Sequence, residues 1–278
     1  MPPPFAESPE FRRLLAGEPG VRLARIALEI ARDAEPELDV DAYLARIDAL
    51  AERARLRCGA GLRARAVLGQ IHWVLFVEEG FRGNDADYYD ARNSYLSDVL
   101  DRKLGIPISL SVLYADVAAG LGLELAGVDL PWHFVLRVLS ESPPLFVDPY
   151  NEGAMLDRGN CERLVEGVVG QPVALTDAQI EPVGPAKVVA RMLRNLKTIH
   201  LRGDDYPAAL LVVRRLAALL PDDLDEQRDW GLLAYRTGHP GESLAPLIRY
   251  VEGRANAPDI EVMAEVVRAV RREVIERN

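Results

Sequence analysis

Two cysteines, Cys58 and Cys161, and four histidines are all that 278 residues offer of the thiol and imidazole side chains that hold zinc or form disulfides. That scarcity excludes a disulfide framework and a standard Cys/His zinc site, so neither a metal nor any other cofactor is expected. Long apolar runs are missing too. No stretch approaches the roughly 18 uncharged apolar residues of a membrane span, and the opening Met-Pro-Pro-Pro-Phe-Ala-Glu lacks the basic-then-apolar layout of a secretion signal. A cytoplasmic protein with no membrane role is expected. Basic charge is also in deficit: 33 Lys and Arg face 43 Asp and Glu, for a net charge of −10. Phosphate binding depends on clustered cations, so no nucleic-acid partner is expected. The basic run from Arg53 to Arg65 alternates with apolar residues, as the solvated faces of helices do.

What is present suits two cores: 49% of residues are hydrophobic and 27% charged. Ser8, Pro9 and Glu10 supply an N-cap, a first-turn proline and an acidic first turn. Leu23, Ile26, Ala27 and Ile30 recur at helical spacing, as do Val40, Tyr43, Leu44, Ile47 and Ala51 after Asp39. Gly59-Ala60-Gly61 breaks the pattern, and a fourth helix is expected from about Leu62 to Gly80. From Gly83 the chain becomes a polar loop with interleaved aromatics (Asn84, Asp85, Asp87, Tyr88, Tyr89, Asp90, Asn93), a composition common in functional loops. Gly105-Ile106-Pro107 then opens a helix whose Leu110, Leu113, Tyr114, Val117 and Leu121 form one stripe. Ser111, Ala115 and Ala118 form a second, which implies a central, buried helix. Short runs at Glu124 to Asp129, His133 to Leu139 and Leu145 to Asp148 read as strands, the last two joined as a hairpin through Ser140-Glu141-Ser142-Pro143-Pro144. Beyond Pro185 amphipathic helix continues, and Ala209-Leu210 recurs as Ser243-Leu244, at the period of about 34 residues that belongs to tetratricopeptide helix pairs.

Three features carry potential chemistry: His133 at the start of a strand, Asp148 at the end of the next, and the helix start just before Ser109. A histidine held by a neighbouring carboxylate is how a general base is oriented. The same two residues also suit a half-buried histidine and a turn-former before Pro149, and spacing alone leaves both readings open.

The stretch Asn93-Ser94-Tyr95-Leu96, then Gly105 to Tyr114, then His133-Phe134-Val135-Leu136-Arg137 and Val147-Asp148-Pro149, resembles the bacterial transglutaminase-like proteins with tetratricopeptide tails, the SirB-one family. The likeness runs from about Leu62 to the C-terminus. It implies an α+β fold: a helix-rich papain/transglutaminase-like domain with a small antiparallel sheet, followed by an all-α helical-repeat module. The implied first domain covers residues 1–184, divided into a helical N-terminal segment, 1–82, and a core, 83–184; the repeat module covers 185–278.

In that superfamily a cysteine opens the central helix, a histidine begins a strand and an aspartate ends the following one. His133 and Asp148 fit the last two roles. Placing the turn at the helix end on Leu121-Gly122-Leu123 puts the cysteine position on Pro107, which has no nucleophile. Trp132 stands where the family usually has glycine before the histidine, and it should reshape the cleft. Ser109 is the remaining candidate nucleophile. Two residues from the lost position it is turned by about 200°, and its other reading is a first-turn cap. Cys161 is a second candidate, though its leading reading is a small apolar core residue. Asn93 and Tyr95 either line the cleft or pack the loop. The resemblance thus points to a non-catalytic binding or regulatory protein, with a vestigial His133/Asp148 cleft and repeats that recruit a protein or peptide partner. The alternative is a hydrolase or acyltransferase using Ser109 or Cys161 with His133 and Asp148.

Overall fold

A distant carboxylate starts the first helix. The computed structural model describes residues 5, 7–59 and 63–276. In it α1 (Pro9–Leu15) begins where Ser8-Pro9-Glu10 places it, yet the Ser8 side chain makes no cap hydrogen bond. The amides of Glu10 and Phe11 donate instead to the two oxygens of Glu29, at 2.9 and 2.8 Å. Glu29 lies on α2 (Leu23–Ala31) and is only 1% exposed, so a charge that is costly to bury is answered by the unpaired N–H groups of a helix end. Local capping does hold for α3 (Val40–Arg57), where Asp39 Oδ1 accepts from Ala42 N at 3.0 Å. The expected helix start at Leu62 lies outside the described residues. From Arg63 onward the chain forms α4 (Ala64–His72), which runs on into a π-helical turn, Trp73–Glu78.

The core is organised around α6 (Pro107–Gly120), of whose 14 residues ten are buried. Such all-round burial belongs to a helix packed on both sides. One side meets α2 and α3; the other meets a four-stranded antiparallel sheet in the order β3 (Leu125–Val128), β4 (Val135–Val138), β5 (Leu145–Asp148), β6 (Ala154–Leu156). The hairpin is present, with Leu136 opposite Val147. His133 falls two residues short of β4, in the turn before it, so its expected position at the start of a strand is corrected. Before α6 come α5 (Leu96–Arg102) and a two-residue parallel pair, β1 (Arg82–Gly83) with β2 (Leu104–Gly105). Behind the sheet, α7 (Arg158–Val169) carries Cys161 and Val165 into a cluster with Val128, Val135 and Phe146.

The chain forms two compact units, Glu7–Met192 and Leu193 onward with Phe5. The division falls inside α8 (Pro185–Arg202), the helix that Pro185 opens. In the second unit α9 (Tyr206–Leu219), α10 (Leu224–Arg236), α11 (Pro240–Gly253) and α12 (Ile260–Glu276) follow as antiparallel-type neighbours joined by short loops. Tyr206 opens α9 and Pro240 opens α11, which keeps the tetratricopeptide spacing. None of the described helices is long and apolar enough to cross a membrane.

The α10/α11 contact is close because Gly231 has no side chain: a Cβ there would lie 2.4 Å from Leu247 Cγ. Gly231→Ala is expected to lose about 1–3 kcal/mol to overpacking, read as a lower midpoint in urea unfolding, even though alanine favours helix.

Candidate functional site

Two chain reversals build the site. Leu130-Pro131-Trp132-His133 is a β-turn closed by His133 N–H donating to Leu130 O at 3.2 Å. Pro131 fixes the second position, and Trp132 at the third has φ of 64°. That combination makes a type II turn, whose third position glycine normally fills. The glycine usual at this point in the resembled family therefore has a conformational reason, and tryptophan holds the same backbone against a steric cost. Arg191 of α8 secures the turn: it donates to Leu130 O at 3.3 Å, pairs with Asp129, and lies 5.6 Å from the centre of the Phe134 ring.

The second reversal starts at Asp148, the last residue of β5. Its carboxylate is fully buried and gathers four donors. Oδ2 accepts from His133 Nε2 at 2.9 Å and from Asn151 Nδ2 at 2.6 Å. Oδ1 accepts from the amides of Tyr150 at 3.1 Å and Asn151 at 3.4 Å, capping the short 3-10 turn Pro149–Asn151. With Nε2–H directed at Asp148, the neutral imidazole carries its lone pair on Nδ1, the arrangement of an oriented base. The Tyr150 ring stands edge-on to His133, with centroids 6.0 Å apart, and its hydroxyl donates to Asp85 Oδ1 at 2.6 Å. Burial, reinforced by Asp85, pushes the Tyr150 hydroxyl well above the usual tyrosine range. The ring fits only because residue 83 is glycine, where a Cβ would sit 2.5 Å from Tyr150 Cε2.

Pro107 is buried as the first residue of α6. The Ser109 hydroxyl donates to Asn93 O at 2.6 Å, with Ile106 O at 3.1 Å, and accepts from Ile106 N at 3.0 Å. It ties the helix start to the preceding loop, and His133 is not among its partners. Asn93 is buried: its Nδ2 donates to Asp87 O at 2.7 Å and its Oδ1 accepts from Asn84 Nδ2 at 3.0 Å, so its amide shapes the polar loop. Tyr95 is buried at the N-cap of α5. Cys161 is 0% exposed, and burial, followed by the charge of Asp148, pushes its thiol up to about 12. Among the described residues no group of three or more His, Cys, Asp and Glu side chains is placed to hold a metal. The sequence pattern stops at Pro149, whereas Tyr150 and Asn151 belong to the site. Their signal was Asp148-Pro149 itself, since aspartate readily caps the turn that follows it.

Removing the carboxylate in Asp148→Ala strands a buried imidazole N–H and the Asn151 amide, with an expected loss of about 2–4 kcal/mol in chemical unfolding. Trp132→Gly has the opposite sign. Relief of the left-handed strain outweighs the added freedom of the unfolded chain, so a gain of about 0.5–1 kcal/mol is expected, read as a raised melting temperature.

Residues 41–194 match the transglutaminase-like superfamily and residues 196–268 the tetratricopeptide repeat. The UPF0162 protein of Xylella fastidiosa is 33% identical over 233 residues, 83% of each chain. That of Vibrio cholerae is 28% identical over 198 residues, 71% of this chain and 73% of its own. Mouse F-box only protein 21 is 39% identical over 154 residues, which are 52% of this chain and 24% of that larger protein. No solved structure matches significantly. The chain belongs to the bacterial UPF0162 family, a branch of the transglutaminase-like superfamily in which tetratricopeptide repeats follow the transglutaminase-like domain.

Proposed function

We propose that this protein is a non-catalytic binding or regulatory module of the cytoplasm, in which the cleft around His133 and Asp148 holds a ligand and the helical repeats recruit a protein or peptide partner. One observation carries the reading: an oriented imidazole stands without a nucleophile to serve. By the family resemblance, the cysteine position falls on Pro107. The Ser109 hydroxyl is spent on backbone groups at 2.6 to 3.1 Å. The Cys161 thiol, buried and pushed up to about 12, is thiol rather than thiolate at neutral pH. Helical repeats add a surface suited to extended partners.

The test is chemical labelling. Native protein treated with iodoacetamide or a fluorophosphonate should give no adduct that disappears in His133→Ala. Proline at the first helical turn forgoes no hydrogen bond, so Pro107→Cys should fold. If position 107 is the lost cysteine's and so faces His133, the new thiol at a helix N-terminus should titrate well below the free value of about 8.5. At about pH 6 it should alkylate at least tenfold faster than Cys58 and Cys161, and His133→Ala should remove much of that advantage. A thiol at position 107 indifferent to His133 would mean the cysteine position is misplaced. His133-dependent labelling of Ser109 or Cys161 in the native protein would make it an enzyme.

A further inference from the structure

Trp132 is held in a left-handed conformation that a bulky residue adopts at a cost, yet its side chain is 75% exposed. Packing within the chain does not account for a large ring kept in that place. Strained positions of this kind cluster where a ligand is clamped. A second aromatic surface flanks the same turn. Tyr88 and Tyr89 are exposed and meet edge to face, with centroids 5.4 Å apart. Tyr88 lies within reach of the charge of Arg191, the residue that grips the Trp132 turn through Leu130 O. From the same loop Asp85 takes the hydroxyl of Tyr150, whose ring abuts His133. The loop and the turn therefore border one mouth.

The charge at that mouth is unbalanced. Arg191 is matched by Asp129. Asp85 and Asp87 are exposed and neither is in a hydrogen-bonded ion pair among the described residues: Asp85's partner is a neutral hydroxyl, and Asp87 feels only the charge of Arg92, which itself pairs with Asp90. An anionic ligand would be repelled here, and a purely apolar one would strip water from two carboxylates without repaying them. A cation satisfies both features at once, since ring faces attract cations and carboxylates pair with them.

We infer that the aromatic mouth formed by Trp132 and Tyr88 with Asp85 and Asp87 takes a lysine or arginine side chain presented by an extended segment of a partner protein. This rests on the reading of the cleft as a binding site and supplies the chemistry of its ligand.

The experiment uses the full-length protein and end-blocked, fluorescein-labelled heptapeptides that differ only at the central residue: lysine, arginine, norleucine or glutamate. Fluorescence anisotropy should show the lysine and arginine peptides binding at least tenfold more tightly than the other two, with affinity falling as salt rises. Trp132→Gly should bind at least threefold more weakly while melting at a higher temperature, so the loss cannot come from unfolding. Asp85→Asn with Asp87→Asn should weaken binding to a similar extent and flatten its salt dependence. Equal binding of the norleucine peptide, full affinity in Trp132→Gly, or no binding by any peptide would overturn the inference. None of these outcomes bears on whether the protein is catalytic, which His133-dependent labelling decides separately.

Discussion

The buried carboxylate of Asp148 is the constraint on which the rest of the site depends. A charge with no exposure persists only if donors surround it, and here they come from three directions: the imidazole of His133, the side chain of Asn151, and two backbone amides of the turn after β5. Satisfying that one group ends a strand, forces a 3-10 turn, orients the histidine ring and throws Tyr150 against it. The Trp132 turn belongs to the same arrangement, because it delivers His133 to that carboxylate. Fold and site are therefore not separable layers here. The hydrogen bonds that close the architecture are also those that orient the imidazole.

The start of α6 obeys a different logic. At the first turn of α6 a residue needs no amide hydrogen, and proline pre-sets the backbone for helix. Pro107 can thus stand where the superfamily's nucleophile is expected without disturbing α6, and Ser109 secures the helix start by accepting from Ile106 N. Loss of a reactive atom at this position leaves the scaffold intact. An aspartate-to-alanine change at 148 would not be so tolerated, because that residue serves structure as much as chemistry. On the proposed non-catalytic reading, this asymmetry would let a chain keep an oriented histidine without a nucleophile beside it.

Helices with an apolar period of several turns were legible in the sequence: α2, α3, α6 and the repeat helices from Tyr206 onward all lie where their spacing places them. So was the hairpin, because Ser140 to Pro144 separates two β-rich runs. Elements of two or three residues, β1, β2 and β6, were not legible, since so short a span holds no alternation to detect. His133 looked like the start of a strand because the apolar run begins beside it, but Pro131 and the left-handed Trp132 turn the chain first. At Ser8 the local signal named a cap that Glu29, remote in sequence, supplies. Strand positions offered His133 and Asp148 as a possible pair, and only the family resemblance chose between the two readings left open. Tyr150, Asp85 and Arg191 join them by tertiary contact, which one-dimensional patterns do not encode.

The absence of a side chain at Gly83 reaches further than its two-residue strand. Because the Tyr150 ring fills the space a methyl group would take, positions 83 and 150 are bound by a steric exclusion rule: any relative that builds a side chain at the first must give up an aromatic ring in this pose at the second. The pair can therefore sort sequences of the family into those able to set a tyrosine edge-on against the histidine and those that are not.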